Sequence, residues 1–373
     1  MPAAQQTPAA QPVPRTVRPD ELPAEPDLLH PVVTPAGSPR GADVLTIVDL
    51  DAGARDPDAV ARALAGSTRL TIGIAREPWD YALQPVVEAL TLTLCLPAVA
   101  APGRAHVPVP DPAAAAAEIA AAADRTPRAA LALGNVLRIN ARLLDAAGSP
   151  WTRGVEDAVA TESLAYSALL AGPEFAAWRT EHPPRPEPPV PPDAVLLDRG
   201  GDLLRITLNR PDRRNALGHG LRDALIDGLD VLAADPALRA ELRGSGPSFS
   251  SGGDLDEFGT AADPATAHVV RLARSAGLRV HRDRERITPY LHGACVGAGI
   301  EVPAFAATVV AAPDAWCRLP ELSLGLIPGA GGTASVTARI GRWRTAWMTL
   351  TGARLTARHA LAWGLVDRLE EPS

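Results

Sequence analysis

Cysteine is scarce in this 373-residue chain. Cys95, Cys295 and Cys317 are its three cysteines, an odd and scattered set that offers neither a disulfide framework nor the paired spacing of a metal site. Buried thiols in a reducing compartment are the expectation. Long hydrophobic runs are missing too. No apolar stretch reaches the ~18 residues a membrane helix requires, and the N-terminus has no basic start followed by an apolar core, so it does not read as a signal peptide. These absences predict a soluble, cytoplasmic protein with no membrane partner and no metal. An excess of basic residues is also lacking. Lys+Arg number 36 against 43 Asp+Glu, for a net charge of −7. That balance gives no general affinity for nucleic acid, although a local basic cluster can still hold a phosphate.

What is present is a hydrophobic content of 46% and length enough for two domains. Residues 1–30 are rich in Pro, Ala and Gln and predict a disordered tail. A second proline-dense stretch, HPPRPEPPVPP, predicts an extended linker over 182–193. It separates an N-terminal α/β domain, rich in helices, at 31–181 from a second domain at 194–373. Runs of branched residues predict strands at 44–50, 70–75 and 90–96. An acidic cap opens a helix at 56–64, and Asp-Pro with an alanine run predicts another at 111–124. Helices at 127–138 and 155–170 follow. The second domain alternates: strand 203–208, turn 210–215, helix 221–234, Gly-rich turn 244–253, then a helix. Strand 287–292, a small-residue turn at 293–299 and an apolar helix at 300–307 complete the pattern. The fold class is α/β with a mostly parallel sheet.

Two turns and two acids carry the chemistry. Glycines in FSSGGD (249–254) and GAG (297–299) let backbone approach a ligand closely. Two N–H groups aimed at one point make an oxyanion hole; plain tight turns are the competing reading. Glu301, one turn inside the apolar helix, and Glu321, in LPEL, sit among apolar residues, where a carboxylate is costly without a task or partner. If the two are neighbours, their proton affinities diverge and they make an acid/base pair; separate salt bridges or caps would equally satisfy them.

Five stretches in order resemble the crotonase superfamily, the enoyl-CoA hydratase/isomerase kind. They are NRPDRRNAL (209–217), FSSGGDL (249–255), HGACVGAGIE (292–301), LPELSLGLIPGAGGT (319–333) and TGARLTARHALAWGLV (351–366). The resemblance covers about 194–373 and implies a ββα spiral core and an acyl-CoA thioester as substrate. It implies that the N–H groups of Gly253 and Ala298 hold the thioester oxygen. Glu301 helps to activate water, and Glu321 exchanges a proton at the α-carbon. The Ala216 carbonyl and the backbone near Ser251 hold adenine, and Arg213 or Arg214 reaches a CoA phosphate unless both are merely solvated. CoA enters as part of the substrate, no other cofactor is implied, and the family suggests a homo-oligomer, a trimer or an assembly of trimers.

The sequence also departs from the family pattern. Ala298 stands where glycine is commoner, and Pro289 falls in a strand, where proline belongs at an edge or bulge. The chain ends soon after Val366, where typical members continue into helices that cover the site. Residues 111–138 and 163–178 resemble that tail, so 31–180 reads either as a degenerate crotonase-like unit without a site of its own or as an unrelated α/β domain. Retention of both glutamates favours hydration or dehydration. The alternatives are isomerisation, thioester hydrolysis, cofactor-independent oxygenation of the dihydroxyphenylacetyl-CoA dioxygenase kind, and a non-catalytic assembly partner.

Overall fold

The computed structural model describes residues 15–31, 44–78, 80–99, 103–145, 151, 154–186 and 190–371; residues 1–14 of the expected tail and 187–189 of the expected linker lie outside them. Two compact units divide the chain. One comprises Met1–Ala100 and Pro108–Pro127, the other Ala101–Val107 and Arg128–Ser373.

In the first unit, strands β1 (Thr16–Val17), β2 (Leu45–Asp49), β3 (Leu70–Ala75) and β4 (Leu92–Cys95) pair in parallel in that order. Strands β3 and β4 are buried along their whole length, which explains why they read as continuous branched runs rather than alternating ones. Helix α1 (Pro57–Ala65) is capped by the Asp56 carboxylate, which accepts from Ala59 N. A short helix α2 (Gln84–Ala89) precedes β4; the next strand in sequence, β5 (His106–Pro108), has His106 and Val107 in the second unit. Helix α3 (Pro112–Arg125) is capped by Asp111, which accepts from the N–H groups of Ala113 and Ala114. Residues 15–30 were expected to be disordered and are ordered instead. Val17, Leu22, Leu28 and Leu29 are buried there, and four such side chains supply the apolar area that composition alone underrated.

The second unit opens with three helices, α4 (Pro127–Asp145), α5 (Val155–Leu170) and α6 (Pro173–Glu181). Its main sheet begins with an antiparallel hairpin, β6 (Val195–Gly200) and β7 (Leu203–Leu208). Helix α7 (His219–Ala234) then crosses to β8 (Arg239–Gly244), and α8 (Pro264–Ala273) and α9 (Ala276–Arg282) lead to β9 (Ile287–Leu291). Strand β10 (Ala294–Val296) and helix α10 (Ala298–Glu301) come next, then β11 (Val310–Ala311), β12 (Trp316–Arg318) and α11 (Gly332–Thr351). The chain closes with β13 (Leu355–Thr356), α12 (Ala357–Trp363) and β14 (Arg368–Leu369). The six-stranded sheet runs β14-β11-β9-β8-β7-β6, and β10, β12 and β13 form a second sheet of three. The fold is mixed α/β, as expected.

Two prolines behave differently from expectation. Pro289 lies in β9, an interior strand. Arg286 O accepts from Ala240 on one side and Leu291 O accepts from Ala312 on the other, so the odd-numbered residues of β9 face β11. That ladder starts only at Tyr290, and Pro289 sits where its missing N–H has no strand to meet. Pro303 ends what was expected as an apolar helix over 300–307. Helix α10 stops at Glu301 and a 3-10 turn, Pro303–Phe305, follows, because the proline ring blocks continuation. His281 is buried between Trp151 and Phe305. His292 is half-buried, and its Nε2 meets Gly246 O at 2.9 Å.

Candidate active site

Backbone geometry places the two Gly-rich turns against each other. Ser250 N donates to Ala294 O and Val296 N donates to Ser250 O, at 3.2 and 3.0 Å. Gly252 (φ 93°) is the contact point: a Cβ there would stand 2.5 Å from Val296 O and 3.5 Å from Ala298 N. Only glycine allows that approach. On the other side Leu217 N donates to Gly252 O and Asp254 N to Leu217 O. The N–H of the intervening Gly253 therefore points away from Leu217. Neither it nor the N–H of Ala298 has an acceptor among the described residues. Both residues line a cavity of about 790 Å³ within the second unit.

Glu301 and Glu321 line the same cavity and are 2% and 7% exposed. They converge on Gly297, whose φ of 51° and ψ of −123° open the turn. A Cβ at Gly297 would lie 2.6 Å from Glu321 Oε1 and 3.7 Å from Glu301 Oε1. Glu301 ends the one-turn helix α10, and its Oε2 accepts from Ala330 N at 2.8 Å and Gly332 N at 2.9 Å, so that oxygen is fixed. Glu321 opens a 3-10 turn, Glu321–Leu324, closed by Gly325, and its Oε2 is buried without a partner among the described residues.

The two acids differ in proton affinity. Burial raises Glu301 to about 7, opposed by backbone N–H groups at Ala330, Gly332 and Gly329. Glu321 is pushed well above the usual carboxylate value, first by burial and then by the charge of Glu301. Glu301 is thus the easier of the two to ionise, and Glu321 the one that keeps its proton.

A third acid was not anticipated. Glu162 of α5 is 1% exposed and lines the cavity. Its Oε1 accepts from Gly331 N at 2.7 Å, and its Oε2 from Thr333 N at 2.8 Å and Thr333 Oγ1 at 2.7 Å. The four N–H groups from Ala330 to Thr333, at the start of α11, thus alternate between Glu301 and Glu162. Unsatisfied helix N-termini favour such anionic caps. Burial first, and then the charge of Glu301, raises Glu162 to about 8 against the opposing hydrogen bonds from Thr333 and Gly331. The sequence signal was faint: a lone acid at the centre of a predicted helix, in a segment with no motif.

Of the expected CoA contacts, none lines the cavity itself. Arg213 Nη2 is held by Asp254 at 2.6 Å and Asp256 at 3.2 Å, while Arg214 is exposed, in a left-handed conformation and without a side-chain partner among the described residues. Ala216 O accepts from Gly218 N, and Ser251 N donates to Arg214 O. The expected linker contributes Pro184, Arg185 and Pro186 to the cavity wall, Arg185 pairing with Asp256. Trp347 and Trp363 pack edge to face at 5.5 Å and stand outside the cavity lining. No group of three His, Cys, Asp or Glu side chains suited to a metal ion occurs among the described residues, and no helix among them is long and apolar enough to cross a membrane.

Comparison with known proteins matches the same half of the chain. The family model for enoyl-CoA hydratase/isomerase covers residues 198–370. The 2,3-dehydroadipyl-CoA hydratase of Escherichia coli (strain K12) is 33% identical over 174 residues, 46% of this chain and 68% of that protein. The mevalonyl-coenzyme A hydratase of Beauveria bassiana (strain ARSEF 2860) is 32% identical over 192 residues, 49% of this chain and 69% of that protein. Among solved structures, enoyl-CoA hydratase from Thermoplasma volcanium GSS1 is 30% identical with a TM-score of 0.45, covering 48% of this chain and 72% of its own. The matched segment spans about two thirds of these relatives' length, and the chain belongs to the enoyl-CoA hydratase/isomerase family.

Proposed function

We propose that this protein adds water to an enoyl-CoA thioester, or removes it from a 3-hydroxyacyl-CoA. The observation that carries the reading is the convergence of Glu301 and Glu321 on Gly297, in a cavity that Gly253 and Ala298 also line with unengaged N–H groups. The thioester oxygen accepts from those two N–H groups, which stabilise the enolate as charge moves onto it. Each such donor is worth about 3–4 kcal/mol of barrier. Glu301, the more readily ionised acid, takes a proton from water as the hydroxide adds at the β-carbon. Glu321 gives its proton to the α-carbon. Atoms and charge balance without a redox step or a metal, and CoA enters as part of the substrate.

Arg214, exposed and with no side-chain partner among the described residues, is the residue we assign to a CoA phosphate, since Arg213 is already held by two carboxylates. Adenine rests against the 216–217 backbone and Ser251. Helices α4–α6 belong to the unit that carries the site, and we assign α5 the covering role of the family's tail helices. A cytoplasmic homo-oligomer completes the proposal, with light scattering as its check.

The test uses the full chain and a panel of enoyl-, 3-hydroxyacyl- and arylacetyl-CoA thioesters in heavy-oxygen water, with and without dissolved oxygen. Heavy oxygen at the β-carbon, independent of dissolved oxygen, is the expected result. Product that forms only under oxygen would replace hydration with oxygenation, and no product from any thioester would leave a non-catalytic partner.

A further inference from the structure

Among the described residues of the cavity wall, one arginine has no carboxylate within ion-pair distance. Arg185 pairs with Asp256 at 3.2 Å, and His219 Nδ1 meets Glu257 at 2.8 Å. Arg222 and Arg274 share Asp223 at 2.9 and 3.2 Å. Arg271 of α8 also lines the cavity but has no carboxylate partner among the described residues. Its guanidinium donates to Ser163 Oγ at 3.0 Å and to Ser167 Oγ at 3.1 and 3.4 Å. It also lies over the Tyr166 ring, 4.5 Å from its centroid. Hydroxyls and a ring face orient the planar fork without discharging it. Glu162, the acid whose charge acts on Arg271, gives its oxygens to Gly331 and Thr333, and Glu301 gives one of its oxygens to Ala330 and Gly332.

Tyr166 ties this cation to the chemistry. The same ring that carries Arg271 packs against Gly329, where a Cβ would stand 2.5 Å from it. Gly329 precedes Ala330, whose N–H fixes Glu301. Tyr166 also meets Phe258 edge to face at 6.4 Å, and Phe258 lies against Gly253, where a Cβ would stand 2.6 Å from its ring. Arg271 therefore stands one aromatic side chain away from both the catalytic acids and the oxyanion donors, a distance an acyl tail spans in a few bonds.

We propose that Arg271 binds a carboxylate at the far end of the acyl group, so that the substrate is the mono-CoA thioester of a short dicarboxylic acid. This rests on the acyl-CoA reading above. A guanidinium and a carboxylate fit as two parallel hydrogen bonds. A neutral chain would leave the cation desolvated and unmatched.

The test has a binding arm and a turnover arm, both on the full chain. Calorimetric titration compares adipyl-CoA with hexanoyl-CoA, which are saturated and need no catalysis. The wild type is expected to bind adipyl-CoA more tightly by on the order of 100-fold. Arg271→Met is expected to collapse that ratio toward one, and Arg271→Lys to keep part of it. Rates then compare 2,3-dehydroadipyl-CoA with 2-hexenoyl-CoA. Equal or tighter binding of hexanoyl-CoA by the wild type overturns the proposal, as does an Arg271→Met variant that weakens both ligands alike. If Arg271→Met does not fold, the wild-type and lysine ratios still decide. Preference for adipyl-CoA without hydration would sink the hydratase reading and leave the arginine assignment standing. Hydration without preference would do the reverse.

Discussion

Glu301 and Glu321 share a cleft but not an environment. Glu301 has one oxygen fixed by two N–H groups, whereas Glu321 has a buried oxygen with no partner among the described residues. Changing either to glutamine should lower kcat by about 10²–10⁴ while CoA-ester affinity, read by calorimetry, changes little. A variant with undiminished kcat would remove that glutamate from the mechanism. Glu162 acts at one remove, through the 330–333 backbone that it shares with Glu301. Glu162→Gln should lower kcat, because the Gly331 and Thr333 N–H groups lose a carboxyl oxygen, and leave the acid limb near 7 in place, because Glu162, raised to about 8, still holds its proton when Glu301 ionises. The charge of Glu301 acts on both Glu162 and Glu321. An undiminished kcat would reduce Glu162 to a packing role. Glu301 and Glu321 were legible because each sits in a motif of local sequence. Glu162 was not, because its partners lie 169 and 171 residues downstream, and no local pattern encodes a contact at that range.

At the scale of elements, local rules worked where local forces dominate. The span of α5 and the acidic caps of α1 and α3 follow from propensity and capping alone. Asp111→Ala should cost about 1 kcal/mol, read as a lower thermal midpoint, because two N–H groups lose their acceptor. The helix expected at 300–307 stops at Glu301 because Pro303 breaks it despite the apolar pattern. That break leaves Glu301 at a helix end beside the α11 start rather than in a helix interior. Gly297 marks the tightest element. Gly297→Ala should abolish turnover, since its Cβ would fall 2.6 Å from Glu321 Oε1 at a φ of 51°. Wild-type rates in that variant would show that the turn has slack the geometry denies.

Across the whole molecule, three buried acids bind protons more tightly folded than unfolded. Glu162 and Glu301 are raised from 4.5 to about 8 and about 7, and Glu321 is raised as well. Below about pH 4.5 both states hold these protons, so they add no pH dependence there. As pH climbs toward 8 the unfolded chain ionises first, and stability falls. Thermal midpoints should therefore drop between about pH 5 and pH 8, and a CoA ester should offset the drop by binding the folded form. A midpoint that rises across this window would contradict the burial of the acids. Domain layout was the least legible feature. Proline density drew attention to 182–193, yet part of that stretch lines the cavity, and the compact units part near residues 100–128. Composition reports stiffness, not which helices a cavity recruits.

The rack of amides at 330–333 has a consequence for synthesis. Translation delivers α5 long before the segment its acid will grip, and 171 residues separate Glu162 from Thr333. During that interval the nascent chain carries Val159, Glu162 and Tyr166 with no cavity to line, and an orphaned acid beside bare apolar groups invites premature association. The amides that grip Glu162 leave the ribosome only with the last part of the second unit, so an early stop after residue 300 yields a chain whose Glu162 has no N–H donors at 331 and 333.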